Sequence, residues 1–490
     1  MTSKGQMAAA ELRSRLGHPV IDADGHWVEY APVLRDAMAR IGGEGALRGF
    51  STFGEAVERS LQMSVAERRH RGLSQEAFWG SPTANARDRA TSMLPRLLYE
   101  RLDEFGIDFA VLYPTSGLGT VRVLDDGDRQ AVCRAFNIYS AETFAPFGDR
   151  MTPAAVIPAF TPDEAIAELE HAVVELGLKA VMFGSLMPRP LGELAERDHG
   201  LAMRFGWLDT LGLDSAYDYD PLWRRCVELG VAPTFHTGTR RYGLRTSPSN
   251  FVFNHIGHFG AAGEAVCKAL FLGGVTRRFP ELRVAFLEGG VGWACQLFAD
   301  LVGHWEKRSL EALEATRPNN LDVDALLALA RSYGDAEMLA ALEARADQLR
   351  NPRLDLVGGI EDLDDFGRCA IGEPGDLAAR FVPNFFFGCE ADDRTNALAF
   401  NRRQNPFDSQ LGAIFGSDIG HFDVLDMAEV LPEAYELVED GLIDHDDFRR
   451  FTFENPVRLW AEANPRFFDG TAVATAAADL VSAPTAGVSD

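Results

Sequence analysis

The chain is predicted to be an α/β protein built as a (β/α)8 TIM barrel, and three observations carry that expectation. Short apolar runs alternate with helix-patterned stretches along most of the sequence. Eight such units can be placed, the number that closes a parallel barrel. Charged or imidazole side chains follow several of the apolar runs, where strand ends of a barrel would converge on one cavity.

The expected strands are residues 20–24, 109–113, 154–158, 179–183, 232–236, 283–288, 384–388 and 413–417. The first grows from Pro19-Val20-Ile21 and ends in Asp24-Gly25-His26. Residues two apart on a strand point to one side, so a carboxylate and an imidazole share a space there. A helix over 99–104 stopped by Gly106 precedes the second strand. The stretch 162–176 places apolar residues at spacings of three and four, has acidic residues in its first turn, and is stopped by Gly177.

The barrel is expected over residues 18–468, with helical insertions at about 31–95 and 304–381. These insertions either cover the barrel mouth or form peripheral helices or a dimer surface. The second contains a stretch, 324–350, suited to a helical hairpin. Residues 469–490, rich in Ala, Thr, Val and Ser without periodicity, are expected to be a disordered tail.

With 490 residues, 46% of them hydrophobic, the chain can bury a large core. Its net charge of −26 opposes nucleic acid or an anionic membrane as partner and favours a small-molecule substrate. The six cysteines lack CxxC spacing and are read as reduced thiols. No stretch has the form of a signal peptide or membrane span, so a cytoplasmic location is expected.

The chemistry is sought at the strand ends. Asp24 and His26 end the first strand, His236 the fifth and Glu288 the sixth, while Asp418 and His421 follow the eighth. Singly, such residues are commonly helix caps or hydrogen-bonded structural groups. Jointly they would repel unless a cation lay between them. Asp24, His26, His236 and Asp418 are therefore the expected ligands of one divalent metal ion. Zinc is the first expectation and manganese the alternative, because imidazole and carboxylate suit a borderline ion. An open position on it can activate water or polarise a substrate oxygen, with Glu288 as a further ligand or the general base.

The segments Leu272–Trp293 (LGGVTRRFPELRVAFLEGGVGW), Phe415–Asp423 (FGSDIGHFD), Leu102–Pro114 (LDEFGIDFAVLYP) and Phe451–Trp460 (FTFENPVRLW) resemble the amidohydrolase-related metal-dependent enzymes. The likeness is to the group containing aminocarboxymuconate-semialdehyde decarboxylase, and it spans most of the chain. It implies that His236 and Asp418 are ligands and that Asp24 and His26 stand for the group's HxH. Two departures are visible: Asp24 replaces the first histidine, and Glu288 stands where these decarboxylases often carry a catalytic histidine. The resemblance implies cleavage of a carbon–carbon bond of a small aromatic or unsaturated acid, by decarboxylation or hydrolysis, and a homodimer. An amide or ester hydrolase on the same site, or a non-catalytic metal- or ligand-binding barrel, are the alternatives.

Around the mouth, His255 and His258 are candidate proton carriers in place of the missing histidine, or helix-start residues. His421 is a candidate to orient substrate or a ligand. Arg240, Arg241 and Arg245 are candidates to bind a substrate carboxylate, or simply a solvated loop. Trp27, Phe78, Trp79, Tyr113, Phe183 and Trp293 form either an aromatic substrate wall or core. No GxSxG elbow is present, and Gly289-Gly290-Val291-Gly292 lacks the lysine of a phosphate loop.

Overall fold

All eight expected strands form, and they lie in one parallel sheet. The computed structural model describes residues 7–76, 84–198, 201–202, 206–238, 246–317, 320–349 and 360–483. In chain order the strands are β1 (Ile21–Trp27), β2 (Phe109–Pro114), β3 (Met151–Ile157), β4 (Ala180–Phe183), β5 (Met187–Arg189), β6 (Trp207–Asp209), β7 (Pro233–Phe235), β8 (Val284–Phe286), β9 (Phe385–Glu390) and β10 (Gly412–Gly416). The barrel order is β1-β2-β3-β4-β7-β8-β9-β10, while β5 and β6 make a separate antiparallel pair outside it. That pair, absent from the sequence expectation, is held by the buried Arg189, whose Nε donates to Asp209 Oδ2 at 2.9 Å.

The barrel closes between β10 and β1 just past the end of β10. Asp418 N–H donates to Asp24 O at 3.0 Å and His26 N–H to Ile419 O at 3.1 Å. The buried Asp22 reinforces the seam by accepting from Ser417 N at 2.9 Å and Ser417 Oγ at 2.6 Å. The strands are buried on both faces, as a barrel filled by its own side chains and wrapped by helices requires.

The helices follow the sequence pattern. Pro95–Phe105 ends at Gly106 with φ of 70°. Pro162–Glu170 is capped by Thr161 and continues through a wider turn to Glu175 before Gly177. The first insertion is mostly peripheral: helix Ala31–Gln62 lies along helix Asp126–Phe144, with Gly42 and Gly49 against Ala131, Ala135 and Val132. Its later part reaches the loop after β7, where Gln75 N–H donates to Ser247 O at 2.7 Å and Arg68 Nε to Pro248 O at 2.7 Å. In the second insertion the hairpin forms as Val323–Tyr333 and Ala336–Ala344, with Leu329, Tyr333 and Met338 exposed.

The tail expectation is corrected for its described part: residues 474–482 are helical, with Val473 and Ala477 packed into the core. The composition lacks a strong helical stripe, and contact with the barrel supplies what local periodicity does not.

One buried ion pair ties helix Asp126–Phe144 to helix Pro162–Glu170. Arg129 reaches Glu164 through Nε at 3.2 Å and Nη2 at 2.8 Å, and its guanidinium lies 3.7 Å from the Phe160 ring centre. Arg129→Met is expected to lower stability by about 3–5 kcal/mol, because Glu164 is left buried without its cation. Denaturant titration should show the loss largely recovered in an Arg129→Met, Glu164→Leu double variant; a single variant as stable as the parent would refute the assignment.

Candidate metal centre

Three donors from β1 and the end of β7 meet at one point. His26 Nε2 lies 3.1 Å from His236 Nε2, and Asp24 Oδ1 lies 3.6 Å from the first and 3.2 Å from the second. Asp24 and His26, two apart at the end of β1, share the side that faces the barrel interior, and His236 follows β7 directly. Asp418 completes the group from the other side of the seam, its Oδ1 being 3.5 Å from His26 Nε2. Glu288 Oε2 is 3.5 Å from His236 Nε2. Two sets of potential ligand atoms, Asp24–His26–His236 and His26–Glu288–Asp418–His421, each lie within 4.8 Å of one another.

The donor set fits a divalent ion. Asp24 Oδ1 and both carboxylate oxygens of Asp418 are buried and accept no hydrogen bond from the described residues, a costly state for a carboxylate that a cation between them would relieve. Burial and the adjacent His421 and His236 hold the His26 imidazole well below its usual range, in the neutral form that ligates metals. Burial, then Glu288, Asp423, Glu390 and Asp24, push the Asp418 carboxyl well above its usual range. A double positive charge placed among them reverses that push.

Backbone conformation marks the same two acids. Glu288 and Asp418 have φ of 56° and 47°, in the left-handed region that non-glycine residues seldom enter. Such strain, of about 1–3 kcal/mol per residue, tends to persist at working sites held by their surroundings. Two glycines permit the packing. A Cβ on Gly420, whose φ is 100°, would come 3.2 Å from His26 O, and one on Gly238 would come 1.8 Å from His258 Nδ1.

A cavity of about 400 Å³ opens beside the donors. Phe251, Phe259 and Phe422 line it together with His255, His258 and Glu288. His255 stacks on Phe251 at 5.4 Å between ring centres, and His258 is buried against Phe259 at 4.0 Å. Asp393 and Asp423 add negative charge beside Glu390, and no lysine or arginine occurs among the described lining residues. Burial, and then Asp423 and neighbouring aspartates, raise the Glu390 carboxyl to about 8.

The structure therefore gathers Asp24, His26, His236, Asp418, Glu288 and His421 at one site, with His255 and His258 on the wall of the adjoining cavity. Trp27 is a correction: it faces the helix layer, within 5.1 Å of the Phe144 ring and 6.0 Å of Tyr139, because it has the opposite strand parity to His26. Phe183 is core, Tyr113 is buried inside the barrel with its ring 5.3 Å from that of His236, and Trp293 packs on Phe286 and Phe387. Arg240, Arg241 and Arg245, like Phe78 and Trp79, lie outside the described residues. Among the described residues, none of the second insertion lines this cavity.

Sequence reasoning missed Glu390 because β9 runs two residues beyond the expected strand end; the strand-end rule would have found it with the longer boundary. It also missed Asp22 and Glu29, whose roles depend on residues far along the chain.

A family model described as amidohydrolase matches residues 21–335. An amidohydrolase from Mycobacterium avium subsp. paratuberculosis K-10 has a similar structure, with a TM-score of 0.52 and 16% identity over 91% of this chain and 98% of that one. 5-Carboxyvanillate decarboxylase from Sphingomonas paucimobilis gives 0.48 and 14% over 90% and 98%. Dihydroxybenzoic acid decarboxylase from Polaromonas sp. JS666, solved with manganese and 2-nitroresorcinol, gives 0.46 and 15% over 90% and 97%. No curated protein matches the sequence.

Proposed function

The chain is an enzyme of the amidohydrolase family, and from that premise we propose that it cleaves a carbon–carbon bond of a small aromatic or unsaturated acid with the help of one divalent metal ion. The observation that carries the reading is the convergence of Asp24 Oδ1, His26 Nε2 and His236 Nε2, all buried, with Asp418 beside them. These four residues would hold the ion, zinc or manganese. When bound, the ion supplies Lewis-acid polarisation of a substrate oxygen and stabilises the negative charge that develops there.

The chain's own groups do the rest. Phe251, Phe259, Phe422 and His255 offer ring faces to a planar substrate. The surrounding carboxylates repel an anionic group everywhere except beside a cation, so the substrate's carboxylate is oriented toward the donor cluster. Glu288 moves a proton to or from the reacting carbon or water, with His255 or His258 as the route to solvent. A carboxylate at 288 favours hydrolytic cleavage, since it can take a proton from water where an imidazolium would have donated one to carbon.

Purified protein analysed for metals is expected to contain close to one equivalent of zinc or manganese. Removal by a chelator should abolish turnover and re-addition restore it; activity that survives removal would refute the reading. Turnover of aromatic and unsaturated acids in heavy-oxygen water separates the chemistries: label in an organic acid product marks hydrolysis, and unlabelled product with carbon dioxide release marks decarboxylation.

A further inference from the structure

Behind the donor cluster, three distant segments lock together at the catalytic end of β1. Thr115 N–H donates to Trp27 O at 3.2 Å, and Ser116 N–H donates to Glu29 Oε2 at 2.8 Å. Thr115 Oγ1 is 3.3 Å from His421 Nε2, and His421 Nδ1 is 2.6 Å from Asp418 Oδ1. The His421 ring also stacks on the His26 ring at 3.9 Å between centres. A continuous line of polar contacts thus runs from Glu29, through the turn after β2, to Asp418.

The His421 ring is thus held between the Thr115 hydroxyl on one side and the Asp418 carboxylate on the other, and its backbone N–H donates to Asp418 O at 3.2 Å, closing the turn that follows the eighth barrel strand. Glu29 is only 6% exposed, its Oε1 has no hydrogen-bond partner, and no lysine or arginine is paired with it among the described residues. Burial raises its carboxyl to about 7. An apolar residue of similar size would be cheaper at this depth, so the carboxyl is a cost to the fold, set against its hold on Ser116.

We propose that Glu29 and Thr115 are positioning residues: Glu29 anchors the turn that aims the Thr115 hydroxyl at His421, and the His421 so placed holds Asp418 in its strained, left-handed conformation for the metal ion. The inference rests on the metal reading above. It assigns a role to a buried acid that touches neither the proposed ion nor the cavity.

Four variants test it. Thr115→Val and Glu29→Met delete the hydroxyl and the acceptor, while Thr115→Ser and Glu29→Gln retain them. Manganese or zinc affinity, measured by chelator competition, is expected to weaken about 10- to 100-fold in the deleting pair and to stay within about threefold of the parent in the retaining pair. Histidine-selective nitrogen-15 spectra should show the His421 ring shifts of the parent kept in Thr115→Ser and changed in Thr115→Val. Should Glu29→Met fail to fold, the Thr115 pair decides. Parent-like affinity and parent-like nitrogen shifts in Thr115→Val overturn the proposal. A parent protein that binds neither metal, yet whose His421 shifts change in Thr115→Val and not in Thr115→Ser, overturns the metal reading and leaves the positioning of His421 standing.

Discussion

His236→Ala is expected to lose the bound metal and to reduce kcat/KM by on the order of a thousandfold or more. The size follows from the several kcal/mol that an electrophilic centre contributes, at about 1.4 kcal/mol per decade of rate. His236 is the donor that faces both halves of the cluster: its Nε2 lies 3.1 Å from His26 Nε2, 3.2 Å from Asp24 Oδ1 and 3.5 Å from Glu288 Oε2. Without it, the Asp24 and Glu288 carboxylates face each other across a gap, and any ion retained would sit on a poorer ligand set. Because the ring is wholly buried, truncation also leaves a cavity, so His236→Asn is the companion that keeps most of the volume. Elemental analysis together with a melting curve separates site loss from unfolding. A folded variant that keeps both a full metal equivalent and parent-like turnover would show that the convergence of these donors has no bearing on the reaction.

Glu288→Gln carries the second large effect. The substitution keeps the shape of the side chain and its place on the cavity wall but removes the capacity to accept and return a proton at neutral pH. A loss of about 10²- to 10⁴-fold in kcat is expected, the range of general acid–base catalysis, with substrate affinity and metal content little changed. If metal content falls with activity instead, Glu288 is a ligand and not the proton carrier. The short distance to His236 makes that outcome a specific alternative. The left-handed backbone at Glu288 is kept by glutamine, so a stability difference between the two proteins would not arise from relief of that strain.

Much of this site was legible in the sequence because barrel strands obey a simple rule. Polar residues at the ends of apolar runs share one face of the barrel, and Asp24, His26, His236, Glu288 and Asp418 all satisfied it. What was not legible has identifiable causes. Trp27 is adjacent to His26 in the chain, yet it points to the helix layer, since neighbouring strand residues face opposite ways. Glu390 was hidden by a strand boundary two residues short. The rings lining the cavity, Phe251, Phe259 and Phe422, lie on helix and loop segments where periodicity gives no clue to direction. The β5–β6 pair has strands of only three residues, too short for an alternation pattern.

By itself, the amino-acid order determined the alternation of strand and helix, the barrel class and which polar groups stand at the strand ends, since these depend on local pattern and on residue type. Only the tertiary structure decided that Asp22 reaches Ser417 across the seam, that Glu29 lies behind Ser116, and that two nitrogens 210 positions apart come within 3.1 Å. Those facts arise when β10 closes on β1, and closure is a property of the whole packed chain: no short window of residues contains both partners of any of these contacts.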